Sequence, residues 1–120
     1  MLEFEFLGNL DQLLDYIEQT IWHGVKQVME ENEKELKFFG VDEAWLKNFE
    51  PPYRRLTYSD AITQLRKLGY EIEYGDDLKS VHEKELAKEG PVFITHWPKH
   101  LKFFNMRESE ENKDIVISAD

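Results

Sequence analysis

Two glutamates stand two positions apart at the start of the chain, Glu3 and Glu5 in the alternating run MLEFEF. At the period of two of a strand their carboxylates share one face, opposite Phe4 and Phe6. That arrangement serves either a paired-acid site or an exposed strand face. Further along, His82-Glu83-Lys84-Glu85-Leu86 has the outline of a helical zinc-protease motif. Such a motif needs a second histidine four residues on, and Leu86 stands there, so it is rejected. His96 and His100 do have that spacing, but Pro98 between them interrupts a regular helix, and zinc wants three or four ligands. Gly75-Asp76-Asp77 brings two carboxylates together as cation loops do. Lys79 falls where oxygen donors should continue, so the pair reads as a turn that caps the helix starting near Ser80. No catalytic residue and no metal ligand is assigned.

Other chemistries are excluded by what the chain lacks. It has no GxGxxG, no GxxxxGK(S/T) and no GxSxG, so the nucleotide cradles and nucleophile elbows of several enzyme classes are missing. With no cysteine, thiolate catalysis, disulfides and cysteine-based zinc sites drop out, and a reducing, cytoplasmic setting is compatible. The formal charge of −10 disfavours a free-standing nucleic-acid binder, because phosphate neutralisation needs clustered Lys and Arg. Weak or no binding of tRNA by this chain alone is therefore expected. No window approaches the roughly 20 apolar residues of a membrane span. An apolar fraction of 41% with eight Phe and five Tyr marks a folding sequence, and 120 residues suit one domain.

Which elements position these residues follows from periodicity. Leu10, Leu13, Leu14, Ile17, Ile21, Val25, Val28 and Met29 recur at three- and four-residue steps, with Asp11, Asp15, Glu18, Lys26 and Glu30 on the other face. That spacing predicts a long amphipathic helix, capped at Asn9 or Asp11, running to near Phe38 before Gly40, and forming the principal core element. Residues 3–6 predict a strand entering it. A helical turn at 41–46, a break at Pro51-Pro52, a short strand at 54–58 and a helix over 60–68 beginning at Ser59 follow. Residues 71–74 read as an edge strand, 80–89 as a helix, and 91–97, 102–107 and 114–118 as strands, with a hairpin loop at 108–113. Helices interleaved with strands expected to pair antiparallel give an α+β fold.

The short pieces also have an informative order. Residues 55–65 read R-x-T-Y-x-x-A-I-x-x-L, 74–78 read Y-G-D-D-L, 83–86 read E-x-x-L, 91–99 read P-V-F-I-T-x-x-P-K and 103–107 read F-F-N-M-R. In this order and spacing the chain resembles the catalytic domain of class II aminoacyl-tRNA synthetases, in the aspartate, asparagine and lysine group and most like the asparaginyl enzyme. MLEFEF resembles the end of the strand that carries the family's second signature motif. The resemblance implies that residues 1–120 form a single domain lying between motifs 2 and 3, an antiparallel sheet with flanking helices. It implies ATP and magnesium as cofactors, and tRNA and an amino acid as partners, of the complete enzyme.

The phosphate-binding arginines and the acidic E-x-x-x-G-x-x-R segment of the family would lie outside this chain, so the chain alone is expected to be inactive and to hold no cofactor. The resemblance further implies substrate-pocket candidates at Glu3, Glu5, His96, Lys102, Phe104 and Asn105, where packing of Phe103, Phe104 and Met106 in the sheet is the plainer account. The family usually has Tyr where this chain has Phe104, which removes a hydroxyl partner. Two alternatives stand beside a ligase fragment: a non-catalytic acidic interaction module, and part of a related asparagine synthetase. Uncovered sheet edges would favour a homodimer.

Overall fold

The computed structural model describes Glu5 and residues 7–120. The strand expected at 3–6 falls on residues of which only Glu5 is among these. The chain divides into two compact units, Met1–Tyr53 and Arg54–Asp120.

The first unit is helical. α1 (Leu10–Glu31) opens with a reciprocal cap: Asn9 Oδ1 accepts the Gln12 N–H at 2.9 Å and Gln12 Oε1 accepts the Asn9 N–H at 3.3 Å. The helix stops at Asn32 rather than running on to Phe38, and α2 (Glu33–Phe39) begins anew. The last turn of α1 has no basic residue. Carboxylates of Glu30 and Glu31 crowd a helix end that prefers cations, and Asn32 competes for the backbone, so the break falls there. Gly40, in the left-handed region at φ 67°, closes α2, with the Val41 N–H bonded to Leu36 O at 2.9 Å. A short α3 (Glu43–Leu46) is capped by Asp42, whose carboxylate accepts the Ala44 N–H at 2.8 Å. On α1 the buried residues are Leu14 and Glu18, while Ile17 and Ile21 are only half-buried. The helix is therefore not the principal core element that its pattern predicts.

The second unit carries the larger buried cluster. β1 (Arg54–Thr57) leads directly into α4 (Tyr58–Lys67), whose cap is Thr57 rather than Ser59: its Oγ1 accepts the Asp60 N–H at 3.1 Å. Tyr58, Ala61, Ile62 and Leu65 form the inward stripe of α4. They pack with Ile94, Trp97 and Val116. After α5 (Ser80–Leu86), β2 (Val92–Pro98) lies beside β1 with Arg54 opposite Val92 and Thr57 opposite Thr95.

That pairing is parallel, and only the pairing of β2 with β3 (Ile115–Ala119) is antiparallel, so the sheet, in the order β1-β2-β3, is mixed rather than antiparallel. The reason is the connection: two helices separate β1 from β2, which is the length of crossover that parallel neighbours require. The β2–β3 register shifts between Thr95 and Trp97, where two steps along β2 oppose three along β3, and His96 of β2 has φ 56°. The left-handed backbone at His96 lets Ile94 and Trp97, three residues apart, join the same buried cluster.

Two expected strands are absent. Residues 71–74 form no ladder; Asp76 instead closes a turn by accepting the Glu73 N–H on its carboxylate at 2.9 Å, while its own N–H donates to Glu73 O at 3.1 Å. Residues 102–107 coil through two turns, Lys102 N–H to Lys99 O and Met106 N–H to Phe103 O, each 3.2 Å. Phe103 and Phe104 are both exposed, so no period-two alternation exists to hold a strand. Pairing beside β3 is confined to the end of this segment, where Arg107 O and the Ser109 N–H bond Ile117 and Ile115 at 2.7 and 2.9 Å.

Candidate functional site

A set of side chains converges where β2 ends and the short 3-10 turn Lys99–Leu101 begins. Trp97 is buried, and its indole N–H donates to Ile94 O at 2.8 Å, which fixes the ring in its own plane. The Lys102 ammonium lies 3.7 Å from the centroid of that ring, a cation–π contact. It also bonds the carboxylate of Asp120, and its side chain is only 14% exposed. Asp120 is placed by backbone pairing with Ile94, N–H to O in both directions at 3.0 Å. A cation and a carboxylate thus meet over an aromatic face, each held by a different strand or turn.

Tyr58, the first residue of α4, packs against Trp97 with ring centroids 5.1 Å apart and against Tyr74 at 5.4 Å. Its hydroxyl accepts the Gly75 N–H at 2.9 Å and donates to Asp76 O at 2.6 Å. Burial first, then the carboxylates of Asp76 and Asp77 and the neighbouring Tyr74, push the Tyr58 hydroxyl above the usual tyrosine range, against an opposing pull from the Gly75 N–H. It stays a neutral donor. Gly75, at φ 103°, has the left-handed backbone that suits glycine, and its carbonyl is met by His100 Nε2 at 3.0 Å. The carbonyl is an acceptor only, so Nε2 carries the proton.

The residues singled out from sequence have separate placements. Glu3 lies outside the described residues, and Glu5 is exposed. His96 is half-buried where the β2–β3 register shifts, with Nδ1 2.9 Å from Thr95 Oγ1. The Thr95 hydroxyl also donates to Leu56 O at 3.3 Å, so it accepts from Nδ1–H and leaves Nε2 as the acceptor of that ring. His96 and His100 have different partners. Lys102 is drawn inward, whereas Phe104 is 98% exposed and Asn105 is exposed. Trp97, Asp120 and Tyr58 were not singled out. Tyr58 could have been found from its place one turn ahead of Ile62 and Leu65 on the same helical stripe. Two open recesses, one of about 550 Å³ bordered by Arg66, Tyr70 and Glu73 and one of about 300 Å³ bordered by Leu68 and Lys88, include none of these candidates. Among the described residues no three histidines or carboxylates converge as a metal-binding set, and no helix is long and apolar enough to cross a membrane.

Residues 1–120 match the family model of tRNA synthetases class II (D, K and N). The chain is 36% identical over 120 residues to the asparagine–tRNA ligase of Thermoplasma acidophilum and 37% identical over 114 residues to that of Pyrococcus abyssi. These alignments cover 98% and 93% of this chain but 28% and 26% of the relatives, so the chain spans about a quarter of their length. The crystal structure of asparaginyl-tRNA synthetase from Pyrococcus horikoshii complexed with asparaginyl-adenylate superposes with a TM-score of 0.89 at 33% identity, over 94% of this chain and 26% of that one. The Entamoeba histolytica asparaginyl-tRNA synthetase in complex with asparaginyl-adenylate gives 0.79 at 25% identity, over 96% and 27%.

Proposed function

Because the chain belongs to the class II tRNA synthetases of the D, K and N group, we propose that it supplies the amino-acid side of the catalytic domain in an asparaginyl-tRNA synthetase-like ligase. In the complete enzyme the carboxylate of the amino acid attacks the α-phosphate of ATP, pyrophosphate leaves, and the acyl group then passes from the adenylate to the terminal adenosine of tRNA. Positioning and charge neutralisation carry most of such a reaction. A cytoplasmic setting and the partners tRNA and a free amino acid come with this reading.

The observation that carries it is the Lys102–Asp120 pair on the Trp97 face. A free amino acid is a zwitterion. Its ammonium can replace Lys102 at Asp120 while its carboxylate takes Lys102, so the internal pair is exchanged for two pairs of the same kind. Trp97 retains the lysine without offering it a competing anion. His96 and Asn105 would supply hydrogen bonds to a side-chain amide, with Glu3, Glu5 and Phe104 as the remaining candidates. ATP would bind outside the residues named here. The described residues do not form a magnesium site by themselves.

Titration of the isotope-labelled chain with L-asparagine and with L-aspartate tests this. Saturable shifts of the Lys102 and Asp120 resonances are expected, and Lys102→Met should weaken binding by roughly tenfold or more, the loss of one charge-assisted hydrogen bond. Absence of saturable shifts up to roughly 10 mM, where a millimolar site would be largely filled, overturns the reading. The second reading, a non-catalytic interaction module, draws on the exposure of Phe103 and Phe104.

A further inference from the structure

Contacts at the end of β2 close on themselves. From Tyr58 the path runs through its hydroxyl to the Gly75 N–H and Asp76 O, and from Gly75 O to the His100 ring. His100 belongs to the turn Lys99–Leu101, which is followed at once by Lys102. Lys102 lies over Trp97, and Trp97 packs on Tyr58. The Gly75–Asp76 turn is therefore gripped from two sides, by a fully buried phenol on α4 and by an exposed imidazole on the segment that delivers the lysine.

We infer that Tyr58 is a positioning residue for Lys102: by fixing the Gly75–Asp76 turn it anchors His100, and by packing against Trp97 it seats the ring on which the ammonium rests. The functional meaning rests on the reading of Lys102 as an amino-acid-binding group; the placement of Lys102 does not. A side chain needed only to fill the core would act through its ring. Here the hydroxyl makes two hydrogen bonds to one turn, and the pushed-up phenol stays protonated so that it can donate as well as accept. Gly75 is the pivot, since a φ of 103° strains any other residue.

Tyr58→Phe keeps the ring and deletes both bonds. Two readouts apply in the 120-residue chain: the upfield displacement of the Lys102 ε-methylene protons by the Trp97 ring, which follows the lysine, and hydrogen exchange of the Gly75 amide, which follows the turn. The variant should lose much of the first and show roughly tenfold faster exchange. Tyr70→Phe is the control, since it removes another tyrosine hydroxyl, bonded to Glu85 at 2.8 Å, and should move neither. If Tyr58→Phe fails to fold, His100→Ala attacks the same turn from the exposed side and must displace the Lys102 resonances. Unchanged Lys102 resonances in the folded Tyr58 variant or in the His100 variant overturn the inference, as does an equal effect of Tyr70→Phe. Should the unsubstituted chain bind neither asparagine nor aspartate, the amino-acid reading falls, while these resonances still decide the positioning of Lys102.

Discussion

The carboxylate of Glu18, 4% exposed, accepts the backbone N–H of Tyr53 at 2.9 Å across 35 residues of chain. The helical pattern of α1 puts Glu18 on its polar face, where Glu18→Ala would change stability by less than about 0.5 kcal/mol. Burial reverses that expectation. Tyr53 is itself buried, and its hydroxyl is pushed up by burial first and by the Glu18 charge second.

Glu18→Ala should destabilise the chain by about 1.5–3 kcal/mol, the range for a hydrogen bond to a charged group that leaves a buried donor behind. Urea unfolding measures it. An unchanged midpoint would remove Glu18 from the structural account of the first unit.

Stability should fall on acidification through Glu85. The Lys88 ammonium first, and then the Tyr70 hydroxyl, hold its carboxyl below the usual value of 4.5. A depressed folded pKa contributes stability that is fully present above the unfolded value and lost as pH falls through the folded one. Tyr70 is pushed up by the same bond, so its share is present below the usual tyrosine value of 10.0 and is lost as pH rises through the folded value. Glu85→Gln should flatten the fall of the urea midpoint as pH drops below the usual carboxyl value of 4.5; an identical profile in the variant argues against the pair.

Binding of tRNA to the 120-residue chain should be weak and salt-labile, because a formal charge of −10 opposes contact with phosphate. Filter binding at physiological salt reads it out. Sub-micromolar affinity there would mean that a cationic face exists.

Self-association should track Phe103 and Phe104, exposed by 77% and 98%. Adjacent aromatic rings at a turn form an apolar patch that a second copy can cover. Sedimentation should show dimer at high concentration and monomer for the doubly substituted Phe103→Ser, Phe104→Ser chain. A monomer at every concentration in the unsubstituted chain refutes the dimer.

Much of the fold is legible because it is local. Ala61, Ile62 and Leu65 mark α4 by spacing, and the apolar run of β2 marks a strand between Gly90 and Pro98. The parallel pairing of β1 with β2 is not local, since it depends on α4 and α5 acting as a crossover. Glu71-Ile72-Glu73-Tyr74 alternates like a strand, yet one buried isoleucine competes poorly with an aspartate that closes a turn. In the site, Lys102 could be singled out from its family segment. Its partners could not, because Asp120 comes to it only through backbone register opposite Ile94. Glu18 is hidden for the same reason, its partner lying 35 residues away.

His96 takes a left-handed backbone in the middle of β2. In an unbroken strand Ile94 and Trp97 would turn their side chains to opposite sides, and the left-handed backbone of His96 brings the indole round to the side of Ile94. For the core, then, position 96 matters through the backbone conformation it adopts. Glycine there would suit the left-handed backbone and leave Trp97 seated. Excision of the position would leave Trp97 two residues from Ile94, on the same face of an unbroken strand, but would move Lys99 one residue along from its partner Asp114 and carry the turn that delivers Lys102 with it.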